Sequence, residues 1–464
     1  MNNEMDQIYC VLKTYIDPIK YFDEDKWQFF VYGTHDYRKI VSNIIRNKHK
    51  NIVVSFRKGN RISYCLFKLQ FRVWKRDNII RSIFYVNDGL ISTMFNAEDT
   101  EGYRHFAKKH LPKRKGILQR LISKLPPFFF ADTRFIIFEK SQPHHIRRSA
   151  VNPVFLNELN FMMFSNIKGK LLFVKPETFK TGIGQVVKVS GNYNYVSVLE
   201  HEFNIGSCIS ERIGLGFNFK RSIRKLEVNN TLFVIEDYIN GRSLKDVLSE
   251  HACVSENNKV IEIIVRLDAW YRYFYSGFSG KRQTITSFYT KTIEAFLAQY
   301  GKHNQALDIV KKLERSLGVI DYWHNGLVPV ISHNDLWPAN FIVDSQNIFA
   351  IDWERAREGS SGIFDYFWMM ISTAIFYLKE KNKLSDYGSS YRLFMNNDDI
   401  VSSCVYHHLR AFLSSLGFDE RHYDLFMLLF LTEWSIQGYL CLRKHTAMDN
   451  LAFCELLKFS NDML

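Results

Sequence analysis

What the chain lacks narrows its class first. No run of about 18 uninterrupted apolar residues occurs among its 464 residues, which excludes a conventional transmembrane helix. Residues 1–6 do not have the basic-then-apolar layout of a secretory signal. The seven cysteines (Cys10, Cys65, Cys208, Cys253, Cys404, Cys441 and Cys454) are scattered singly, with no CxxC pair. That spacing argues against a disulfide framework or a zinc ribbon and fits a reducing compartment. No internal repeat is visible. With 46% hydrophobic and 23% charged residues the chain can bury a sizeable core. The expectation is a globular, cytoplasmic protein of two or three domains.

Charge is unevenly placed. Residues 1–150 carry 28 Lys and Arg against 14 Asp and Glu, leaving 33 against 34 for residues 151–464. A basic first module beside a near-neutral remainder suggests two modules with different partners. Turn residues at 141–143 and 150–153 mark the boundary between them.

The first module, 1–150, reads as a small basic α/β domain. An aromatic strand at 27–32 (WQFFVY) is followed by a helical rhythm at 37–47 and a second apolar strand at 51–56 (NIVVSF). That order resembles the remnant of a methyltransferase-like domain, without its glycine-rich first turn; Gly33 and Gly59 read as turn glycines. Within the module, 108–130 (KKHLPKRKGILQRLISKLPPFFF) sets an apolar stripe of Ile117, Leu118, Leu121, Ile122 and Leu125 against Lys113, Arg114, Lys115, Arg120 and Lys124. Such a helix either packs on its own domain or lies on an anionic membrane surface, in which case the protein is peripheral to the inner face of the membrane. Nucleic acid is not expected as a partner, because no recognition motif accompanies the charge.

The chemistry concentrates in residues 330–354, VISHNDLWPANFIVDSQNIFAIDWE. An apolar run leads into His333, Asn334 and Asp335. Residues 341–343 and 348–351 then flank Asp344-Ser345-Gln346-Asn347, a hairpin signature ending at Asp352. Asp335, Asn340 and Asp352 are thereby delivered to one end of a small sheet. Oxygen-only ligands of this kind suit Mg²⁺, which binds through one or two carboxylates together with substrate phosphates.

The HxDxxxxN spacing followed by an IDxE segment resembles the catalytic and metal-binding loops of the aminoglycoside phosphotransferase and choline kinase family, small-molecule relatives of the protein kinases. The resemblance covers roughly 165–445. It implies that Asp335 accepts the acceptor hydroxyl's proton and that Asn340 and Asp352 hold Mg²⁺ against the phosphates of ATP. It makes His333 a brace between the two loops, and Glu354 and Asp365 supporting acids. Leu336-Trp337-Pro338 agrees with the LxP of many relatives, while Asn334 replaces the glycine most common between His and Asp.

A nucleotide-binding lobe is then expected upstream. Residues 171–174 and 185–190 read as strands separated by Lys180-Thr181-Gly182-Ile183-Gly184, a faint glycine-rich loop. Lys188 lies in an apolar alternation, where an ammonium is costly without a partner. The resemblance gives it the α and β phosphates and a helix glutamate. In the candidate helix 198–212, Glu202 is favoured, because Leu199, Phe203, Ile205 and Ile209 place it beside the packed side; Glu200 is second. Residues 232–244 fit the strand and hinge that receive adenine, the hinge being Asp237, Tyr238 and Ile239, followed by the Gly241 and Leu244 of a GxxL pattern. Beyond Phe364 the pattern is helical, at 367–379, 400–416, 423–444 and 451–459.

The expected fold is therefore α+β: a two-lobed protein-kinase-like fold, with a β-rich N-lobe at 165–240 and a helical C-lobe at 241–464, preceded by the small α/β domain. The expected function is ATP-dependent transfer of the γ-phosphate to a hydroxyl of a small molecule. The added basic module points to a sugar or glycolipid of surface-polysaccharide biosynthesis. Tyr366, Trp368, Tyr377, Glu433, Trp434 and Tyr439 could line its pocket, although residues of these kinds are more often core than ligand. A pseudokinase-type nucleotide-binding scaffold and a membrane-surface adaptor are the alternatives.

Overall fold

A computed structural model of the protein describes residues 185–190, 195–213, 222–228, 231–437 and 451–462, preceded by seven strands described at the level of the backbone. The chain divides into two compact units. One comprises Met1–Phe203 and Ser222–Asn240, the other Asn204–Arg221 and Gly241–Leu464.

The first unit is built on one sheet. Its strands are β1 (Trp27–Val31), β2 (Asn51–Arg57), β3 (Asn78–Asn87), β4 (Ser92–Asn96), β5 (Thr133–Lys140), β6 (Met162–Ser165), β7 (Lys170–Lys175), β8 (Gln185–Ser190), β9 (Ser222–Val228) and β10 (Thr231–Asp237), in the order β1-β2-β5-β3-β4-β6-β7-β8-β10-β9. β1 and β2 pair in parallel, and the other pairings are antiparallel; the helix expected at 37–47 lies outside the described residues. β4 pairs with β6, so strands from both sides of residue 150 share the sheet. The boundary at 141–153, the basic segment 108–130 and the glycine pair at 182 and 184 lie outside the described residues.

The first part of helix α1 (Val196–Ile213), up to Phe203, covers one face of the sheet's last strands. Tyr195 and Leu199 pack on Leu232 and Val234 in a small apolar cluster. Val186, Val187 and Val189 of β8 are buried on both faces, as expected of a central strand.

The second unit is helical, with two small sheets. In chain order it contains β11 (Arg242–Ser243), α2 (Leu244–Cys253), α3 (Asn257–Ser276), α4 (Ile285–Tyr300), α5 (Asn304–Trp323), β12 (Val330–Ser332), β13 (Phe341–Val343), β14 (Ile348–Ala350), β15 (Arg357–Ser360), α6 (Ile363–Lys381), α7 (Tyr387–Met395), α8 (Ile400–Ser415), α9 (Tyr423–Gln437) and α10 (Leu451–Asp462). β13 and β14 form the expected hairpin, with β11 on its edge, and β12 pairs with β15. Mixed helix and strand content of this kind is α+β. Among the described residues no helix is long and apolar enough to cross a membrane.

α6 is the axis of this unit. Every residue from Ile363 to Leu378 is buried, the signature of a helix enclosed by others. α9 is likewise buried without a break from Leu425 to Thr432. This decides for the core alternative in part of the pocket set. Tyr366, Trp368, Tyr377 and Trp434 are core residues: Tyr366 stacks on Phe412 with centroids 3.9 Å apart, Trp368 meets Trp434 at 5.5 Å, and the Tyr377 hydroxyl donates to Asn257 Oδ1 at 2.7 Å. Two adjoining all-round apolar helices leave these aromatics no outward face. Tyr439 lies outside the described residues.

A polar node ties α3, α6 and α8 together. Asp268 accepts a hydrogen bond from the Tyr366 hydroxyl and one from Arg272 Nε at 2.8 Å, and lies 3.2 Å from His408 Nδ1. The hydrogen bond to Asp268, helped by Cys404, pushes His408 up to about 9 against the opposing effect of burial. Its folded value exceeds the ordinary one, so its stabilisation is complete below pH 6.5 and lost as pH rises through about 9. Urea unfolding should show this loss as about 2 kcal/mol between those limits after solvent screening. His408→Gln should remove that part of the pH slope.

Candidate active site

The loop after β12 is held from beneath. Asp365, fully buried in the first turn of α6, accepts the backbone N–H groups of both His333 and Asn334, the latter at 2.8 Å. Burial pushes its carboxyl up to about 6 against the pull of these donors. His333 is buried, and burial lowers its imidazole to about 4, so it is neutral at neutral pH. Its Nε2–H donates to the Ile351 carbonyl at 2.9 Å, and its ring sits 4.5 Å from that of Trp353. His333 therefore joins the loop of Asp335 to the strand end that carries Asp352.

Asn334 explains itself in the structure. Its φ is 59°, in the left-handed region where glycine and asparagine are best tolerated. Unlike glycine, it adds side-chain bonds: its Nδ2 donates to the Arg355 carbonyl at 3.0 Å, and its Oδ1 accepts from Ser332 Oγ at 3.1 Å. Asp352 also has a left-handed φ, 68°.

Trp337 and Pro338 open a single 3₁₀ turn, Pro338–Asn340, with proline in its first position. That turn sets Asn340, whose Nδ2 donates to the Asp335 carbonyl at 2.8 Å while its own carbonyl accepts from Ile351 N–H at 2.9 Å. The amide nitrogen is thus committed to the loop, which leaves Oδ1 as the ligand-capable atom. Asp335 is half-buried. Burial pushes its carboxyl up to about 7; Arg355 opposes this, Asp352 and Glu354 add repulsion, and the Asn340 amide favours the charged form. Asp335, Asn340, Asp352 and Glu354 are therefore one electrostatic neighbourhood. Among the described residues no group of three or more His, Cys, Asp or Glu side chains could hold a metal. An amide oxygen and a carboxylate fit a cation that takes part of its shell from water and phosphate.

In the first unit, Lys188 and Glu202 form a buried ion pair, and Glu236 joins them, its Oε1 2.7 Å from Lys188 Nζ. Glu200 instead pairs with Lys225 at 2.6 Å on the surface. Asp237 ends β10 in an exposed position; Tyr238 and Ile239 follow it without regular structure, and burial pushes the Tyr238 hydroxyl up. Glu433, from the pocket candidates, is pushed up to about 7 by burial, with Asp365 adding repulsion.

Two participants were missed from sequence. Glu236 shares the parity of Leu232 and Val234 on β10, so its place on the packed face was in principle readable from alternation. Arg355, the cation beside Asp335, carried no signal beyond following Asp352 closely.

The segment carrying Asp335, Asn340 and Asp352 matches the phosphotransferase enzyme family over residues 262–369. The chain is similar to a solved thermostable mutant of aminoglycoside phosphotransferase APH(4)-Ia, at 11% identity over 66% of this chain and 94% of that one, with a TM-score of 0.39. It is similar to APH(2")-IIa solved with streptomycin and ATP, at 14% identity over 67% and 96% of the two chains, TM-score 0.38. For APH(3'')-Id from Streptomyces rimosus the figures are 12%, 61%, 96% and 0.36. No curated protein matches the chain.

Asn334 offers a direct check of the loop's construction. Asn334→Gly keeps the backbone and should cost about 1 kcal/mol through lost side-chain bonds. Asn334→Val should cost about 2–4 kcal/mol, adding left-handed strain. Denaturant titration of both variants measures the difference.

Proposed function

Because the chain carries a phosphotransferase-family segment around its catalytic loop, we propose that it is an ATP-dependent small-molecule kinase with a protein-kinase-like catalytic arrangement. It transfers the γ-phosphate to a hydroxyl of a sugar or lipid-linked sugar. The observation that carries this reading is the geometry of the Asp335 loop: Asn340 Nδ2 donates to the Asp335 carbonyl at 2.8 Å, and His333 Nε2 ties the loop at 2.9 Å to the Ile351 carbonyl beside Asp352. Half-buried there, with burial raising its carboxyl, Asp335 is suited to accepting a hydroxyl proton.

Asp335 orients the acceptor hydroxyl and takes its proton. Asn340 Oδ1 and the Asp352 carboxylate would hold Mg²⁺, which when bound neutralises charge on the β and γ phosphates. Lys188, steadied by Glu202, contacts the α and β phosphates, and main-chain groups of Asp237, Tyr238 and Ile239 receive the adenine. His333 and Asp365 bind no substrate; they keep the loop of Asp335 and the end of β14 in register. Arg355 restrains the rise of the Asp335 pKa. Positioning supplies most of the rate, since phosphoryl transfer needs little covalent help. The basic character of residues 1–150 favours an anionic or glycolipid-type acceptor over an uncharged metabolite.

The test is incubation with ATP, Mg²⁺ and pooled sugars, amino-alcohols and aminoglycosides, reading products by mass spectrometry. Asp335→Asn should lower turnover by about 10³-fold while nucleotide affinity stays within a few-fold. Near-normal transfer by that variant removes the assignment. Nucleotide binding without any product from the unaltered protein leaves a scaffold instead.

A further inference from the structure

The buried ammonium of Lys188 is held by two carboxylates, those of Glu202 and Glu236. In the antiparallel register Lys188 lies opposite Val234. Side chains alternate along a strand, so Glu236, two residues beyond Val234, leaves the sheet on the same side as Lys188. α1 covers that side, with Leu199 on Leu232 and Val234. Glu202 stands three residues after Leu199, on the same helix face. Three elements thus bring two carboxylates to one Nζ, with all three side chains no more than 4% exposed.

Glu236 binds the same ammonium as Glu202, at 2.7 Å, in surroundings where Coulomb forces are weakly screened. An anion approaching Lys188 meets both a competitor for the ammonium and a like charge. We propose that Glu236 is a positioning residue that acts through Lys188, holding its ammonium against phosphate and so weakening nucleotide binding. The inference rests on the reading of Lys188 as a phosphate contact. Its consequence is easier release of the spent nucleotide, at the cost of looser initial binding.

Glu236→Gln keeps the side chain's shape and removes its charge. The full-length protein and this variant are titrated calorimetrically with Mg²⁺-ADP and, separately, with adenosine. The ADP Kd should fall about tenfold in the variant, while that for adenosine, which has no phosphate, stays within about twofold. Unchanged or weaker ADP binding overturns the proposal, as does equal tightening for adenosine. Glu236→Asp retains the charge but withdraws it by one methylene, so it should tighten ADP only about two- to threefold. Tightening equal to that of Glu236→Gln, or none, also counts against it, and this variant decides the matter alone if the glutamine variant does not fold. Failure of the unaltered protein to bind ADP at all would sink the nucleotide reading itself, and this inference with it. Normal ADP binding with no response to Glu236 sinks this inference only.

Discussion

One carboxylate organises the chemistry of the helical unit. Asp365 sits in the first turn of a helix buried on every side and accepts the amide hydrogens of His333 and Asn334. Buried amides without partners are expensive, so this contact fixes the loop where it leaves β12. Once fixed there, the loop places His333 against the Ile351 carbonyl and Asn340 against the Asp335 carbonyl. Bonds to backbone groups on both sides thus hold the loop that carries Asp335.

The two units place their ions in different surroundings for a physical reason. In the helical unit Asp352 and Glu354 add repulsion to the partly buried Asp335 while Arg355 opposes it, which favours a proton on Asp335 over a third ionised carboxylate. In the sheet unit two glutamates hold a single buried lysine. The first lies where a metal-bound phosphate is proposed to be handled. The second restrains the lysine that is proposed to grip the nucleotide. Each is costly as a structural element alone and intelligible as part of a binding function.

Legibility from sequence followed the range of the interactions. The strand around Lys188, the hairpin after Asn340 and the helices beyond Phe364 were readable because alternation, turn residues and helical spacing are local. The preference for Glu202 over Glu200 was also readable, since neighbouring apolar residues define the packed side of α1. For Tyr366, Trp368, Tyr377 and Trp434 the sequence left pocket and core both open, because amphipathic spacing cannot separate a pocket wall from a core shared by two enclosed helices. Helices α3 to α5 fall within the lobe expected to be helical, and their buried residues recur at helical intervals.

By itself the order of residues determined the local pieces and the reaction class: which side chains could take a proton or hold a cation, and the spacing that ties them to one loop. Tertiary packing decided their states. Burial near Arg355 and Asp352 sets where Asp335 titrates, the end of α6 decides that the loop stays in place, and strand register brings Glu236 to Lys188. These are properties of distance and dielectric, which arise only when segments far apart in the chain exclude water together.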